Sequence, residues 1–169
     1  YTTIQAAVDQ ADPGDTILVA PGIYNEAVRI KKSVTLLGDP GDIDTAGCGS
    51  NAPVIDGTGL GSAKVGFEIW RDAEVSGVTI EGFEIRNFTG DGIRGEGHKT
   101  CNTTIRYNYI HDVGGNGIWA FNSYKAESMI DWTVTHNVIK NFGGNGIYLV
   151  GVSDSTLSNN VINSPCGGG

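Results

Sequence analysis

The stretch Arg106–Phe121, RYNYIHDVGGNGIWAF, recurs downstream as THNVIKNFGGNGIYLV, Thr135–Val150, with its charges and aromatics changed but its asparagines and glycines kept. GFEIRNFTGDGIRGE, Gly82–Glu96, is a third copy. Such self-similarity limits a fold more than composition does, because each copy is a unit that cannot bury its apolar face alone. The copies superpose without gaps as VTIEGFEIRNF (78–88), TTIRYNYIHDV (103–113) and WTVTHNVIKNF (132–142), with STLSNNVIN (155–163) a truncated fourth. Starts at 78, 103, 132 and 155 give periods of 25, 29 and 23 residues. Apolar residues coincide at Ile80, Ile105, Val134 and Leu157, and again at Ile85, Ile110, Ile139 and Ile162. The same frame aligns Asn108, Asn137 and Asn160, then Gly92-Ile93, Gly117-Ile118 and Gly146-Ile147.

Each period holds three short runs of alternating polarity broken by Gly, Pro, Asp or Asn, the pattern of strands joined by tight turns. Three strands per period describe a coil rather than a hairpin. Coils stacked ~4.8 Å apart make three parallel sheets, in which each strand pairs with its equivalent one period away. The repeated Asn is expected to take the left-handed backbone of a sharp bend and to bond the Asn above and below. The repeated Gly-Ile is expected to mark a fixed bend before a strand. At the N-terminus, Ile4, Ala7, Val8 and Ala11 lie at helical spacing before Pro13-Gly14, which predicts a capping helix within residues 1–14 and coils over 15–169.

The 169 residues fit one domain. Gly, at 26 residues, is roughly twice its usual share, and charged residues, at 18%, fall below the usual quarter, as a turn-rich β protein requires. A net charge of -8 disfavours nucleic acid, whose phosphates call for clustered Lys and Arg. No apolar run reaches membrane-spanning length. The sequence, from Tyr1 to SPCGGG, reads as a piece of a longer protein, with an open last coil available to further coils, further domains or self-association. Two sequons, Asn87-Phe88-Thr89 and Asn102-Thr103-Thr104, suit an exported protein. Cys48, Cys101 and Cys166 lack metal-type spacing; a Cys48–Cys101 disulfide and three unpaired thiols both fit.

The repeat, together with the opening YTTIQAAVDQADPGDTILVAPGIYNEAVRIKKSVTLLGD, resembles the right-handed parallel β-helix superfamily of pectin lyases, pectate lyases and polygalacturonases. It is most similar to surface β-helices of the NosD and disaggregatase kind. The resemblance covers essentially the whole chain. It implies an all-β, right-handed parallel β-helix of three parallel sheets and about six coils, with an N-terminal capping helix, at a cell surface or outside the cell. The Arg-rich motif of pectate lyases, the paired-Asp motifs of polygalacturonases and the pectin-methylesterase signatures are missing. No family catalytic residue carries over by position.

Candidate site residues therefore come from alternation. On the strand after each Gly-Ile bend, Glu68 and Trp70, Arg94 and Glu96, Trp119 and Phe121, and Tyr148 and Val150 point outward. Vertical neighbours then run Glu68, Arg94, Trp119, Tyr148 beside Trp70, Glu96, Phe121, Val150. In the resembled superfamily this strand lines the polysaccharide groove. Trp70, Trp119, Phe121 and Tyr148 suit sugar faces, and Arg94 suits a uronate. Glu68 and Glu96 would lie diagonally at about 8 Å, a spacing compatible with inverting glycoside hydrolysis. Arg94 would keep one carboxylate ionised; a lyase would use it as base or charge neutraliser. A plain Glu68–Arg94 salt bridge is the competing expectation. Asp91 is placed to position water and His98 to shuttle protons. His111-Asp112, beside Arg86-Asn87 and Lys140-Asn141, form a second pair, expected as a polar column at a turn. Asp39, Asp42 and Asp44 could wrap Ca2+. The expected function is an extracellular hydrolase or lyase of an acidic glycan, with a non-catalytic carbohydrate-binding or structural surface module as the rival.

Overall fold

The computed structural model describes residues 1–41, 43, 49, 51–61, 65–70, 75–97, 100–122 and 129–163. Helix α1 (Ile4–Gln10) opens the chain. The Thr3 hydroxyl accepts from the Ala6 N–H, and the Glu26 carboxylate accepts from the N–H groups of Ile4 and Gln5 at 2.8 and 2.9 Å. Four of the helix's first donors are orphans by geometry, so these two side chains fix its start. Ile4, Ala7 and Val8 face the core, closing one end of the stack.

The first coil is β1 (Thr16–Leu18), β2 (Gly22–Tyr24) and β3 (Val28–Ile30), and the second β4 (Thr35–Leu37), β5 (Pro53–Asp56) and β6 (Phe67–Ile69). The third is β7 (Thr79–Glu81), β8 (Glu84–Arg86) and β9 (Ile93–Glu96), and the fourth β10 (Thr104–Arg106), β11 (Tyr109–Val113) and β12 (Ile118–Phe121). After a short β13 (Met129–Ile130) comes the fifth, β14 (Thr133–Thr135), β15 (Val138–Phe142) and β16 (Ile147–Val150). A short β17 (Val152–Ser153) then leads to β18 (Thr156–Ser158) and β19 (Val161–Asn163) of a sixth. Every pairing among these strands is parallel, and each strand pairs with the equivalent strand of the next coil. The outcome is three sheets, β1-β4-β7-β10-β14-β18, β2-β5-β8-β11-β15-β19 and β3-β6-β9-β12-β16, with β13 and β17 paired at a corner. The expected coil architecture is the observed one.

The core consists of the columns that the repeat predicts. Leu36, Ile80, Ile105 and Val134 in the first sheet, and Ile55, Ile85, Ile110 and Ile139 in the second, are fully buried. Leu157 and Ile162 end those columns half exposed, since no described coil covers them. Trp132, fully buried, donates its indole N–H to the Thr100 carbonyl at 2.6 Å. Its ring fits beneath β9 only because Gly95 has no side chain: a Cβ there would sit 2.8 Å from Cζ2.

One expectation about the repeated letters needs correction, namely which residue takes the left-handed turn. The left-handed residues at the corner are Gly82, Tyr107, His136 and Asn159, each one place before the inward position of Phe83, Asn108, Asn137 and Asn160. The asparagines instead turn into the core as a ladder. Asn108 donates its backbone N–H and its amide to Asn137 Oδ1, and Asn137 does the same to Asn160 Oδ1, all at 3.0–3.1 Å. The Gly-Ile expectation holds: Gly92, Gly117 and Gly146 each form the bend directly before a strand, at a φ that is not positive. Gly92 and Gly117 are glycine because their coils approach too closely for a Cβ: one on Gly92 would lie 2.7 Å from the Gly117 carbonyl oxygen, and one on Gly117 2.6 Å from that of Gly146. Cys101 is a free, half-buried thiol rather than half of a Cys48–Cys101 disulfide; Cys48 and Cys166 lie outside the described residues.

Candidate functional site

The outer face of the third sheet brings together most of the residues singled out by alternation. Register pairs Arg29 with Glu68, Glu68 with Arg94, Arg94 with Trp119 and Trp119 with Tyr148. The neighbouring column runs Glu96, Phe121, Val150, with Trp70 one residue beyond the paired part of β6. Phe67, Ile69, Ile93, Gly95, Ile118 and Ala120 point inward and are buried, so the strand fixes these outward directions. By register Glu68 and Glu96 are diagonal neighbours, about 8 Å apart at the backbone.

The ion pairs on this face take their own pattern. Glu68 accepts from Arg29 Nε at 3.0 Å, across the rung below, instead of from Arg94. Arg94 turns to Asp91, donating from Nε and Nη2 at 2.8 and 2.6 Å. The other Asp91 oxygen accepts the backbone and amide N–H groups of Asn116 at 2.8 and 2.9 Å, and Asn145 repeats the contact on Asn116. Asp91 is thus the buried foot of a second polar ladder, with both oxygens engaged. His98 lies outside the described residues.

The aromatics are joined to the cations. Arg29 lies 3.9 Å and Lys31 5.8 Å from the centroid of the Trp70 ring, and Arg94 lies 4.8 Å from that of Trp119. A guanidinium over a ring face is held by the ring quadrupole and itself limits the rotamers of the ring. Trp119 and Phe121 are parallel within 5°, with centroids 5.5 Å apart. Trp70, Trp119 and Phe121 are half-buried, and Tyr148 is exposed. Side chains held this way form a preset surface of ring faces and edges.

A second polar assembly occupies the outer face of the second sheet, larger than the His111-Asp112 pair expected from sequence. Asp56 of β5 accepts from Arg86 Nε at 2.9 Å, and Arg86 also donates to Glu84 Oε1 at 2.8 Å. His111 reaches Glu84 Oε1 with Nε2 at 3.2 Å and Asp112 Oδ2 with Nδ1 at 2.6 Å, and Asn141 donates to Asp112 Oδ1. Asn87 and the Thr58 N–H complete Asp56. Burial works against the charge of His111, but its two carboxylate partners outweigh it and raise its pKa. The hydrogen bond from His111 is the largest cause lowering both Glu84 and Asp112. Asp56 is lowered too, hydrogen bonds from Thr58, Asn87 and Arg86 overcoming burial, and Asp56 in turn raises Arg86. Glu84 and Asp56 escape a sequence search because they lie 27 and 55 residues before His111; only the register joins them.

Asp39 accepts from the Gly41 N–H at 2.9 Å as a turn residue, while Asp42 and Asp44 lie outside the described residues. Among the described residues no trio of His, Cys, Asp or Glu is grouped to hold a metal ion, and no helix is long and apolar enough to cross a membrane.

Parallel strands repeated once per coil, buried apolar columns and an internal asparagine ladder define a parallel β-helix. The family model described as right-handed β-helix region matches residues 49–169, and the chain belongs to that family. No curated protein and no solved structure matches it.

Proposed function

We propose that the outer face of the third sheet is a carbohydrate-recognition face, and that the chain works at a cell surface or outside the cell as a glycan-binding β-helix. The observation that carries this is the parallel Trp119–Phe121 pair, held beside Arg94 and below the exposed Tyr148. Flat apolar rings flanked by polar groups match the C–H faces and hydroxyl edges of sugar rings. Charge favours a neutral glycan over an acidic one. Arg29 and Arg94 already hold Glu68 and Asp91, so a uronate would have to displace a carboxylate that is built in and better placed.

A second reading, glycan cleavage by Glu68 and Glu96, is favoured by their diagonal register. Both readings meet in one experiment. The chain is run through gels containing neutral or acidic polysaccharides, and the same mixtures are assayed for new reducing ends and unsaturated uronates. Retention by a neutral glycan, weakened about tenfold or more in Trp119→Ala, is the expected result. Retention by none, or retention untouched by Trp119→Ala, rules out the recognition face. Product formed by the wild type but not by Glu96→Gln would establish cleavage instead.

A further inference from the structure

His111 is the one described histidine with a carboxylate at each ring nitrogen, and no part of the recognition face uses it. Neither nitrogen is open to a substrate, and the side chain is only 15% exposed. Its partners come from several coils. Tyr109 and Asp112 share its strand, with the Tyr109 ring stacked on the imidazole at 4.3 Å. Glu84 and Arg86 face it from β8, and Lys140 and Asn141 from β15; Asp56 of β5 joins through Arg86.

We propose that His111 is a proton-dependent clasp: as imidazolium it binds Glu84 of the third coil and Asp112 of the fourth together, and loss of its proton releases the corner where the third, fourth and fifth coils meet. Only the imidazolium can donate to both carboxylates. Neutral imidazole keeps one N–H and turns a lone pair toward the other carboxylate. The shorter contact, to Asp112, would keep the hydrogen, so Glu84 would face the lone pair. Three carboxylates, Asp56, Glu84 and Asp112, would then remain with Arg86 and Lys140 as the cations nearby. The turn affected is the one that includes left-handed Asp112 and Asn141 and is tied from coil to coil by Gly114 N–H to the Phe88 carbonyl and Gly143 N–H to the Val113 carbonyl.

Linkage fixes the direction. The folded-state pKa of His111 lies above its unfolded value, so the clasp contributes fully below about pH 6.5 and is lost as pH rises through the folded-state value. Glu84 and Asp112 are depressed, so their share is present above the ordinary carboxylate range and is lost as pH falls through their folded-state values. The clasp is tightest between these limits.

The test uses the full chain. The imidazole of His111 is titrated by NMR, and amide protection factors are followed for Gly114 and Gly143. Urea midpoints of wild type and His111→Asn are compared from about pH 6 to about pH 9. Expected are a His111 midpoint above that in the urea-unfolded chain, moved down by Glu84→Gln, and protection of both glycines falling about tenfold or more across it. The wild-type advantage over His111→Asn should shrink as pH rises through the His111 midpoint, leaving the part that neutral imidazole keeps through Asp112 and the Tyr109 ring. A His111 midpoint at or below the unfolded value, or an advantage over His111→Asn that does not change with pH, overturns the proposal. Should His111→Asn fail to fold, the Glu84→Gln titration decides alone.

Discussion

Asn137→Ala is expected to lower the unfolding free energy by about 3 kcal/mol or more, from the cost of leaving several buried polar groups unpaired at once. The Asn137 carboxamide accepts from the backbone and amide of Asn108, and donates to the Ile105 carbonyl and to Asn160 Oδ1. Truncation leaves the Asn108 donors and the Ile105 acceptor inside a fully buried column with no water to replace the loss. Asn160→Ala is the comparison. Asn160 sits at the top of the same ladder, half-buried, where solvent can reach the vacated partners, so about 1 kcal/mol is expected. Urea denaturation of both variants at neutral pH checks the pair. Equal losses would mean that the ladder does not hold the coils in register.

The same asparagines show where the sequence could be read and where it could not. Their 29- and 23-residue spacings announced vertical stacking, and the hydrogen bonds join residues at those separations. Apolar columns were equally legible, because burial inside a coil stack repeats with the period. The residue carrying the left-handed turn was misplaced by one. Tyr107 and His136 hold it; tyrosine does not advertise φ > 0, and beside His136 stands an Asn that favours it as well, so only the backbone reveals it. On the outer face, alternation placed Glu68, Arg94, Trp119 and Tyr148 in consecutive rungs as observed. What alternation could not supply is side-chain choice. Arg94 reaches back three residues to Asp91 instead of across to Glu68, because Asp91 is buried and aimed at it. Arg29 escaped notice because the first coils do not align with the later copies. The Asp56–Arg86–Glu84–His111 assembly was half seen, as a His111-Asp112 pair beside Arg86, since three of its coils had to be in register before its acids met.

Gly117→Ala is expected to cost about 3 kcal/mol, and Gly146→Ala, one coil further along the same column, less than half of that. A Cβ on Gly117 would sit 2.6 Å from the Gly146 carbonyl oxygen and closer still to Cγ2 of the fully buried Ile139. Neither neighbour can yield. The carbonyl accepts the Ile118 N–H at 2.9 Å, and Ile139 is enclosed by the coils on both sides. Relief must come from parting the fourth and fifth coils, which loosens the β12–β16 ladder just where Trp119 meets Tyr148. The nearest atoms to a Cβ on Gly146 all belong to the side chain of Ile162, which is 48% exposed and has room to turn outward. If bends were the reason for these glycines, the two substitutions would cost the same, since neither has positive φ and each directly precedes an equivalent strand. If close approach is the reason, they separate, and glycan retention weakens in Gly117→Ala but not in Gly146→Ala. Equal urea midpoints for the two variants would remove the close-packing account of the Gly-Ile repeat.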